Sequence, residues 1–548
     1  MNRNILIYLA ACSLYGGALA GCSDPMPPNP TPMVGGETTQ QLEDCAASDE
    51  WLPMTPAVPM FEPLPHPTTE CPFYRGGWQN FLLAMQPDAA GNPAILSWPT
   101  IDTTFTSRFK HPATRSYLGD IKQAGRREIL IDQNGNSLYY GIHVNQAFEQ
   151  FIADNDLKTS DKLQAYPSTK KYLFFPSGVA EFKSAWQIVE GDAATIAAQT
   201  AGYISMVTTV PTLSQNATKE IVEDRDTPRT VTVRLLAIHV VFTLPGHPEF
   251  IWASFEHSLG APDSAASDGK RDVAPTFDGA NPDPMDPTNA LVAGAASDHD
   301  FLLYKGGTPV VQSNVAKSET ELNLDTTSQK FLVPGTTTPQ STSIYRMFPA
   351  SKSNTIIPDE AITSLNNNVE HLFAMKASAL DPKDKRGNYR LVGAQWLDKP
   401  DFFTENFAIQ NDLTNPYAQP VGQGVGVGEQ AFVAAITADG TDSPYSILGG
   451  EDRMSSTAME SFTQSVGSFE NCFRCHDTHA ITANGVPLNA NQDGIKLIDP
   501  GLLNVSHVIS QFILEDCNQP ANVKVDPTDP NPGTLKAFCP PFPATGPQ

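Results

Sequence analysis

Residues 230–257 read TVTVRLLAIHVVFTLPGHPEFIWASFEH, and this stretch decides the fold class. Valine, leucine, isoleucine and threonine dominate its first part, which ends at Leu244, and these residue types favour strands. Pro245-Gly246-His247-Pro248 then interrupts the run, and Phe250–His257 is apolar again. Two such runs separated by a short turn predict an antiparallel β-hairpin.

The rest of the chain mixes strand and helix signals. Asn134-Gly135 lies between two apolar runs and predicts a second hairpin, because these residues tolerate the positive φ of a tight turn. Helical spacing of apolar residues predicts helices at Trp78–Met85, Val144–Ala153, Ala180–Val189, Asn367–Lys376 and Met454–Phe469. We therefore predict an α+β fold with a mainly antiparallel β body, surrounding helices and a helical C-terminal segment.

The first residues are typical of an export signal. Arg3 precedes a short apolar run, Ile5–Leu19, which is too brief to span a bilayer. Leu19-Ala20-Gly21-Cys22 resembles the lipobox of bacterial lipoproteins, in which the cysteine is acylated and begins the mature chain. We expect residues 1–21 to be a signal peptide and Cys22 to carry lipid, with sorting to the outer membrane. The alternative is an ordinary signal peptide, with Cys22 in a disulfide.

Composition divides the remaining chain and limits its partners. Prolines make residues 22–70 an extended tether, and we expect a mixed α/β body at 71–365 and a C-terminal region at 366–548. Lys and Arg total 35 against 60 Asp and Glu, a net charge of −25. Such a surface repels nucleic acid, which we exclude as a partner. The lipid is then the expected membrane anchor.

Residues 471–476 read Asn-Cys-Phe-Arg-Cys-His and contain the spacing Cys472-x-x-Cys475-His476. Two thiols at this spacing add to the two vinyl groups of haem, and the next histidine becomes the proximal iron ligand. A zinc site would need a second closely spaced ligand pair. We therefore expect one covalent haem c bound by Cys472, Cys475 and His476, with His476 on the iron, in a helical segment.

The opposite face of the haem needs a residue distant in sequence. His479 is one helical turn from His476 and therefore lies on the same side of the porphyrin. If the hairpin pairs residue 239 with residue 255, His239 and His257 share one apolar face, where buried imidazoles need partners. Either histidine is a candidate distal iron ligand. The alternative is that each imidazole is hydrogen-bonded by Glu256, a backbone carbonyl or water. The other candidates for the distal position are Met454, Met459 and His507.

Eight cysteines are present, and Cys12 leaves with the signal peptide. Lipid and haem account for three of the others. Four remain in an oxidising compartment, and we expect the local pairs Cys45–Cys71 and Cys517–Cys539. A bridge between the two ends of the chain is the alternative.

Several stretches, in this order along the chain, carry a resemblance to known proteins: Trp78–Phe81, Asn145 with Phe148, Lys183–Trp186, Ile238–Val240, Ile251–His257, Asn388–Trp396, Thr457–Glu460 and Cys472–His476. Together they resemble a group of large single-haem c-type cytochrome-like lipoproteins of proteobacteria, including myxobacteria. The resemblance implies haem c and export, and it supplies no reaction. Among the matched positions it draws attention to His239, Glu256 and His257.

Electron transfer to redox partner proteins is the leading function, because haem iron cycles between two oxidation states. A haem domain needs only about a hundred residues, and the surplus favours an alternative. This is a haem-dependent oxidoreductase, peroxidase- or oxygenase-like, with an open distal site where Glu256 and His257, or His239, act as acid and base. Whether the protein is an enzyme stays open at this point, as does the face of the outer membrane that it occupies.

Overall fold

A computed structural model describes residues 45–52, 70–104, 118–124, 128–158, 175–245, 247–258, 273–276, 294–347, 359–397, 448–451, 456–464 and 472. The strands are β1 (Tyr139–Val144), β2 (Ala180–Val189), β3 (Ser205–Gln215), β4 (Ile221–Leu244), β5 (His247–His257), β6 (Leu324–Asp325), β7 (Lys330–Phe331), β8 (Tyr389–Leu397) and β9 (Leu448–Gly450). The α-helices are α1 (Cys71–Ala84), α2 (Ile101–Thr104), α3 (Gln146–Asp154), α4 (Ala193–Thr200) and α5 (Glu360–Lys376).

One antiparallel sheet dominates the described part of the chain. Its strands follow the order β1-β2-β4-β5-β8-β9, and β3 also pairs with β4. The predicted hairpin forms from β4 and β5, and the α+β class with a mainly antiparallel body is confirmed. Strand β4 begins earlier than the apolar run, at Ile221, because β3 pairs with its polar first part.

Helix α1 covers one face of the sheet, which we call the helix face. The Phe255 ring of β5 lies 4.9 Å from the Trp78 ring and stacks 4.6 Å from the Phe81 ring. Gly77 permits this close approach, because a Cβ added there would lie 3.0 Å from the Ala253 Cβ. The central strands therefore pack directly against the α1 backbone through small and aromatic residues.

Residues 456–464 lie against the other face, which we call the loop face. Ala458 and Met459 are buried there in a cluster that includes Tyr140 and Ala237. These residues form consecutive turns, so the helix predicted from the apolar spacing is absent from this stretch. Ala458, one apolar residue of that pattern, is nevertheless buried.

The stretch Ala180–Val189 is strand β2, and the predicted helix there is wrong. Strand β2 lies between β1 and β4, and almost all its side chains are buried. Burial on both sides removes the alternation of polar and apolar residues that marks a half-exposed strand, so a run of this kind is ambiguous in sequence.

The hairpin register differs by one residue from the predicted one. The prediction paired residues 239 and 255, whereas His239 pairs with Ser254 and Ala237 with Glu256. The chain turns between Leu244 and His247, and the pairing is irregular between Phe242 and Leu244. A shift of one residue moves the side chains of one strand to the other face relative to its neighbour.

The N-terminal part of the body is fastened by the Cys45–Cys71 disulfide, as predicted. Trp51, within the expected tether, is buried beside α1, with the Arg75 guanidinium 5.8 Å from its ring centre. The Asn134-Gly135 turn also forms, and Gly135 adopts a φ of +83°. Within the described ranges, no helix is long and apolar enough to cross a membrane.

Candidate functional site

The centre of the β4–β5 hairpin carries the polar side chains that the sequence singled out. Because paired residues share a face and neighbours along a strand alternate, His239, Ser254 and Glu256 lie on the loop face. His257 lies on the helix face, as does Phe255 two residues earlier in β5. Its partner in β8 is Tyr389. The prediction that His239 and His257 share one face is therefore wrong, and the cause is the one-residue register shift.

His239 contacts the segment that lies over the loop face. Its Nε2 is 2.9 Å from Glu460 Oε1, and both side chains are largely buried. Glu460 Oε2 also accepts a hydrogen bond from the Ser456 N–H at 2.9 Å. The carboxylate thus closes a turn of residues 456–464 and at the same time lies against the imidazole of β4.

Glu256 makes a buried charged contact on this face. The residue is 2% exposed, and its carboxylate forms an ion pair with the Arg346 guanidinium. The other contacts come from Thr457, whose N–H donates to Oε1 at 2.5 Å and whose hydroxyl donates to Oε2 at 3.1 Å. Both carboxylate oxygens are therefore engaged by donors, as a buried anion requires.

His257 is enclosed where β5 ends and β3 begins. Its Nε2 lies 3.0 Å from the carbonyl oxygen of Gly202. The imidazole stacks on the Tyr203 ring at 3.7 Å and meets the Tyr389 ring edge-on at 5.2 Å. A backbone carbonyl and two aromatic rings therefore surround this histidine, which was one of the arrangements that the sequence left open.

Two further side chains fasten residues 456–464 to the body. The Tyr140 hydroxyl of β1 donates to the Ala458 carbonyl at 2.7 Å. The Gln464 amide accepts from Met347 N–H at 2.8 Å and donates to the Tyr345 carbonyl at 3.1 Å. With the contacts of Thr457 and Glu460, the segment is bonded along its whole length shortly before Cys472.

Burial also changes the acidity of neighbouring groups on the loop face. Burial raises the pKa of the Tyr140 hydroxyl well above its ordinary value. Burial lowers the pKa of Lys183, while Glu460 and Asp120 act in the opposite direction. The Lys183 ammonium donates to the Gln123 carbonyl at 2.8 Å. This face therefore combines several titratable groups with little access to water.

Cys472 lies beside strand β8 on the loop face of the same sheet. It is 7% exposed, and its backbone N–H donates to Gln395 Oε1 of β8 at 2.8 Å. The Gln395 Nε2 donates to the Glu451 carbonyl at 2.8 Å. Gln395 pairs with Trp252 of β5 and therefore faces the loop face, as Glu256 does. The first residue of the Cys-x-x-Cys-His motif is thus fixed to the sheet.

The structure brings some of the predicted residues together and separates others. Cys472, Glu256 and His239 belong to the loop face, whereas His257 belongs to the helix face. Met459 is a buried core residue. Several candidates lie outside the described residues: Cys22, Met454, Cys475, His476, His479, His507, Cys517 and Cys539. Within the described part, no cluster of three or more His, Cys, Asp or Glu could hold a metal ion.

Sequence reasoning missed the partners of these residues. Gln395 could have been found, because a lone amide between Ala394 and Trp396 in an apolar strand requires a hydrogen-bonding role. Arg346 gave no signal, since it lies in a polar stretch ninety positions from Glu256.

Similarity to known proteins supports neither assignment. No protein-family model matches the chain, and no curated protein or solved structure is similar to it.

Proposed function

We propose that this protein is an exported c-type haem lipoprotein that transfers electrons through one covalently bound haem. The haem would be attached at Cys472 and Cys475, with His476 as the proximal iron ligand. The observation that carries the proposal is the motif together with its placement, because Cys472 is buried and its backbone is bonded to β8 through Gln395. A redox centre benefits from such fixed surroundings, since they limit rearrangement when the charge changes.

Two buried side chains near Cys472 support the proposal. Gln395 and its cross-strand neighbour Trp252 are both buried on the loop face, so this region of the sheet is shielded from water. When bound, the haem iron supplies a one-electron redox couple. The protein's own residues would contribute burial and nearby charge, and both of these tune a haem potential. On this face the charge of Glu256 is already compensated by Arg346.

Electron transfer is favoured over an open catalytic site by the positions of the candidate acid and base. Glu256 and His257 lie on opposite faces, and each is engaged by other groups. A distal acid–base pair must converge on one reacting atom, and these two side chains do not converge. The peroxidase- or oxygenase-like alternative would therefore depend on His239, the one hairpin histidine on the loop face.

The stretches behind the sequence resemblance support a related proposal, that the chain belongs with the single-haem lipoproteins. Ile251–His257, Asn388–Trp396 and Thr457–Glu460 are far apart in sequence. They meet on the loop face through the contacts of Glu256 and Gln395.

Covalent attachment is tested on the denatured chain. Produced in a host that attaches haem c, the full-length protein should stain for haem peroxidase activity on a denaturing gel. Cys472→Ala should weaken or abolish the stain, whereas Cys45→Ala, which removes the disulfide at the start of α1, should leave it unchanged. Colour that extracts into acidified organic solvent would refute the proposal, because only non-covalent haem leaves the polypeptide in this way.

The lipid anchor is tested separately. The normal protein should incorporate labelled palmitate and fractionate with outer membranes, and Cys22→Ala should do neither. Absence of label from the normal protein would contradict acylation while leaving the haem proposal intact. The net charge of −25 further suggests redox partner proteins with a basic docking surface.

A further inference from the structure

Gln395 is a fully buried amide in a strand whose neighbouring residues serve the core. Trp396 stacks on the Phe73 ring at 4.2 Å, and Ala394 is buried on the same helix face. The amide of Gln395 points the other way and has no exposed surface. Burying an amide costs free energy unless its groups are hydrogen-bonded. Packing alone therefore gives no reason for glutamine at this position.

The two ends of this amide bridge two distant parts of the chain. Gln395 Oε1 accepts the Cys472 N–H at 2.8 Å, and Nε2 donates to the Glu451 carbonyl at 2.8 Å. Glu451 is itself fixed, because its N–H donates to the Ala394 carbonyl at 3.1 Å and its carboxylate accepts from the Tyr74 hydroxyl at 2.9 Å. The amide therefore connects Cys472 to a rigid edge of the sheet.

We propose that Gln395 is a positioning residue for the haem, which fixes the backbone of Cys472 and through it the orientation of the attached group. This inference rests on the proposed function. Cys472 is the first proposed attachment point, and the proposed proximal histidine, His476, follows four positions later. A fixed Cys472 therefore restricts where the motif can place its iron ligand. In the described part of the chain, Gln395 contacts the motif through the Cys472 N–H.

The test replaces this amide and a matched one elsewhere in the sheet. Gln395→Met keeps the length of the side chain and removes both hydrogen bonds. Gln187→Met is the control, because Gln187 is also a buried strand glutamine whose amide bridges two groups, Asp132 and Arg234, each at 2.8 Å. Gln395→Glu is the conservative variant, which keeps an acceptor for the Cys472 N–H.

The readouts are the hydrogen exchange of the Cys472 amide and the visible spectrum and midpoint potential of the full-length haem protein. In Gln395→Met we expect exchange of this amide to accelerate about fivefold, the factor that corresponds to one net hydrogen bond. We also expect a shifted spectrum and potential at unchanged haem content. Gln395→Glu should restore the slow exchange, and Gln187→Met should leave the exchange, the spectrum and the potential unchanged.

Several results would overturn the positioning role. These are a Gln395→Met protein with the exchange rate and potential of the original, or an equal shift of potential in Gln187→Met. If Gln395→Met does not fold, hydrogen exchange of the Cys472 amide is measured in the unmodified protein. Rapid exchange there would also refute the positioning role. A failure of the proposed function is distinguishable, because it would show as absence of covalent haem from the original protein itself.

Discussion

The ion pair between Glu256 and Arg346 allows a decisive test of what Glu256 does. The Glu256 carboxylate accepts from the Arg346 guanidinium and from the N–H and hydroxyl of Thr457. Glu256→Ala removes this anion and leaves all of these donors without their acceptor. We expect the variant to unfold at lower urea concentration, because these buried donors lose their acceptor.

The size of the effect follows from the burial of the two partners. Removing one member of a buried ion pair costs about 3–5 kcal/mol. Two features place this pair at the low end of that range: the Arg346 side chain is 15% exposed, and its Nη1 keeps a hydrogen bond to the Thr276 hydroxyl at 3.3 Å. We therefore expect Glu256→Ala to lower the free energy of unfolding by about 3 kcal/mol.

The assay is urea unfolding followed by far-ultraviolet circular dichroism, with the midpoint and the slope compared between variants. Glu370→Ala is the control, because Glu370 and Arg390 form a pair at 3.2 Å with side chains 57% and 23% exposed. Exposed pairs contribute about 0.2–1 kcal/mol. A Glu256→Ala loss no larger than that of the control would refute the structural role. A catalytic Glu256 would instead lose haem-dependent turnover at normal stability.

Three further outcomes are expected. Replacing Cys45 and Cys71 by alanine should lower the free energy of unfolding by about 2–4 kcal/mol, and urea curves unaffected by this change or by reductant would contradict the disulfide. Burial raises the pKa of Glu223 from 4.5 to about 8, so the folded protein binds this proton more tightly than the unfolded chain does. The free energy of unfolding should therefore fall as the pH rises from 4.5 to about 8. Glu223→Gln should flatten that part of the profile of stability against pH. An unchanged profile would show that Glu223 is not the titrating group. His239→Ala should shift the haem midpoint potential, and an equal shift in His257→Ala would contradict the separation of the two faces.

The existence of the hairpin could be predicted from sequence because it depends on local preferences. The β-branched run, the Pro-Gly turn and the returning apolar run all favour the same structure. Local preferences do not give the register, which depends on the turn between Leu244 and His247 and on the irregular pairing between Phe242 and Leu244. Similarly, the sequence of β2 predicts a helix, because burial on both faces hides the period of a strand.

The contacts of the candidate site were beyond local sequence reasoning because they join distant parts of the chain. Glu256 meets Arg346 at a separation of 90 positions and Thr457 at a separation of 201. Gln395 meets Cys472 at a separation of 77. No periodic pattern links such residues, and only the packing of the whole sheet brings them together. The Cys472-x-x-Cys475-His476 motif, by contrast, is recognisable in sequence because its residues lie at a fixed local spacing.

The observed register also has a physical logic that a sequence could reveal. Pairing residue 239 with 255 would place His239 beside Phe255 and would turn Glu256 to the side of Ile238, so that His239 and Glu256 would lie on opposite faces. The observed pairing puts His239, Ser254 and Glu256 on one face and leaves Ile238 with Phe255 on the other. Register is set by the pattern of polar and apolar residues wherever faces are buried, and the observed one groups these three polar side chains. This grouping gives residues 456–464 a polar row to bind, and that row fixes the segment that precedes Cys472.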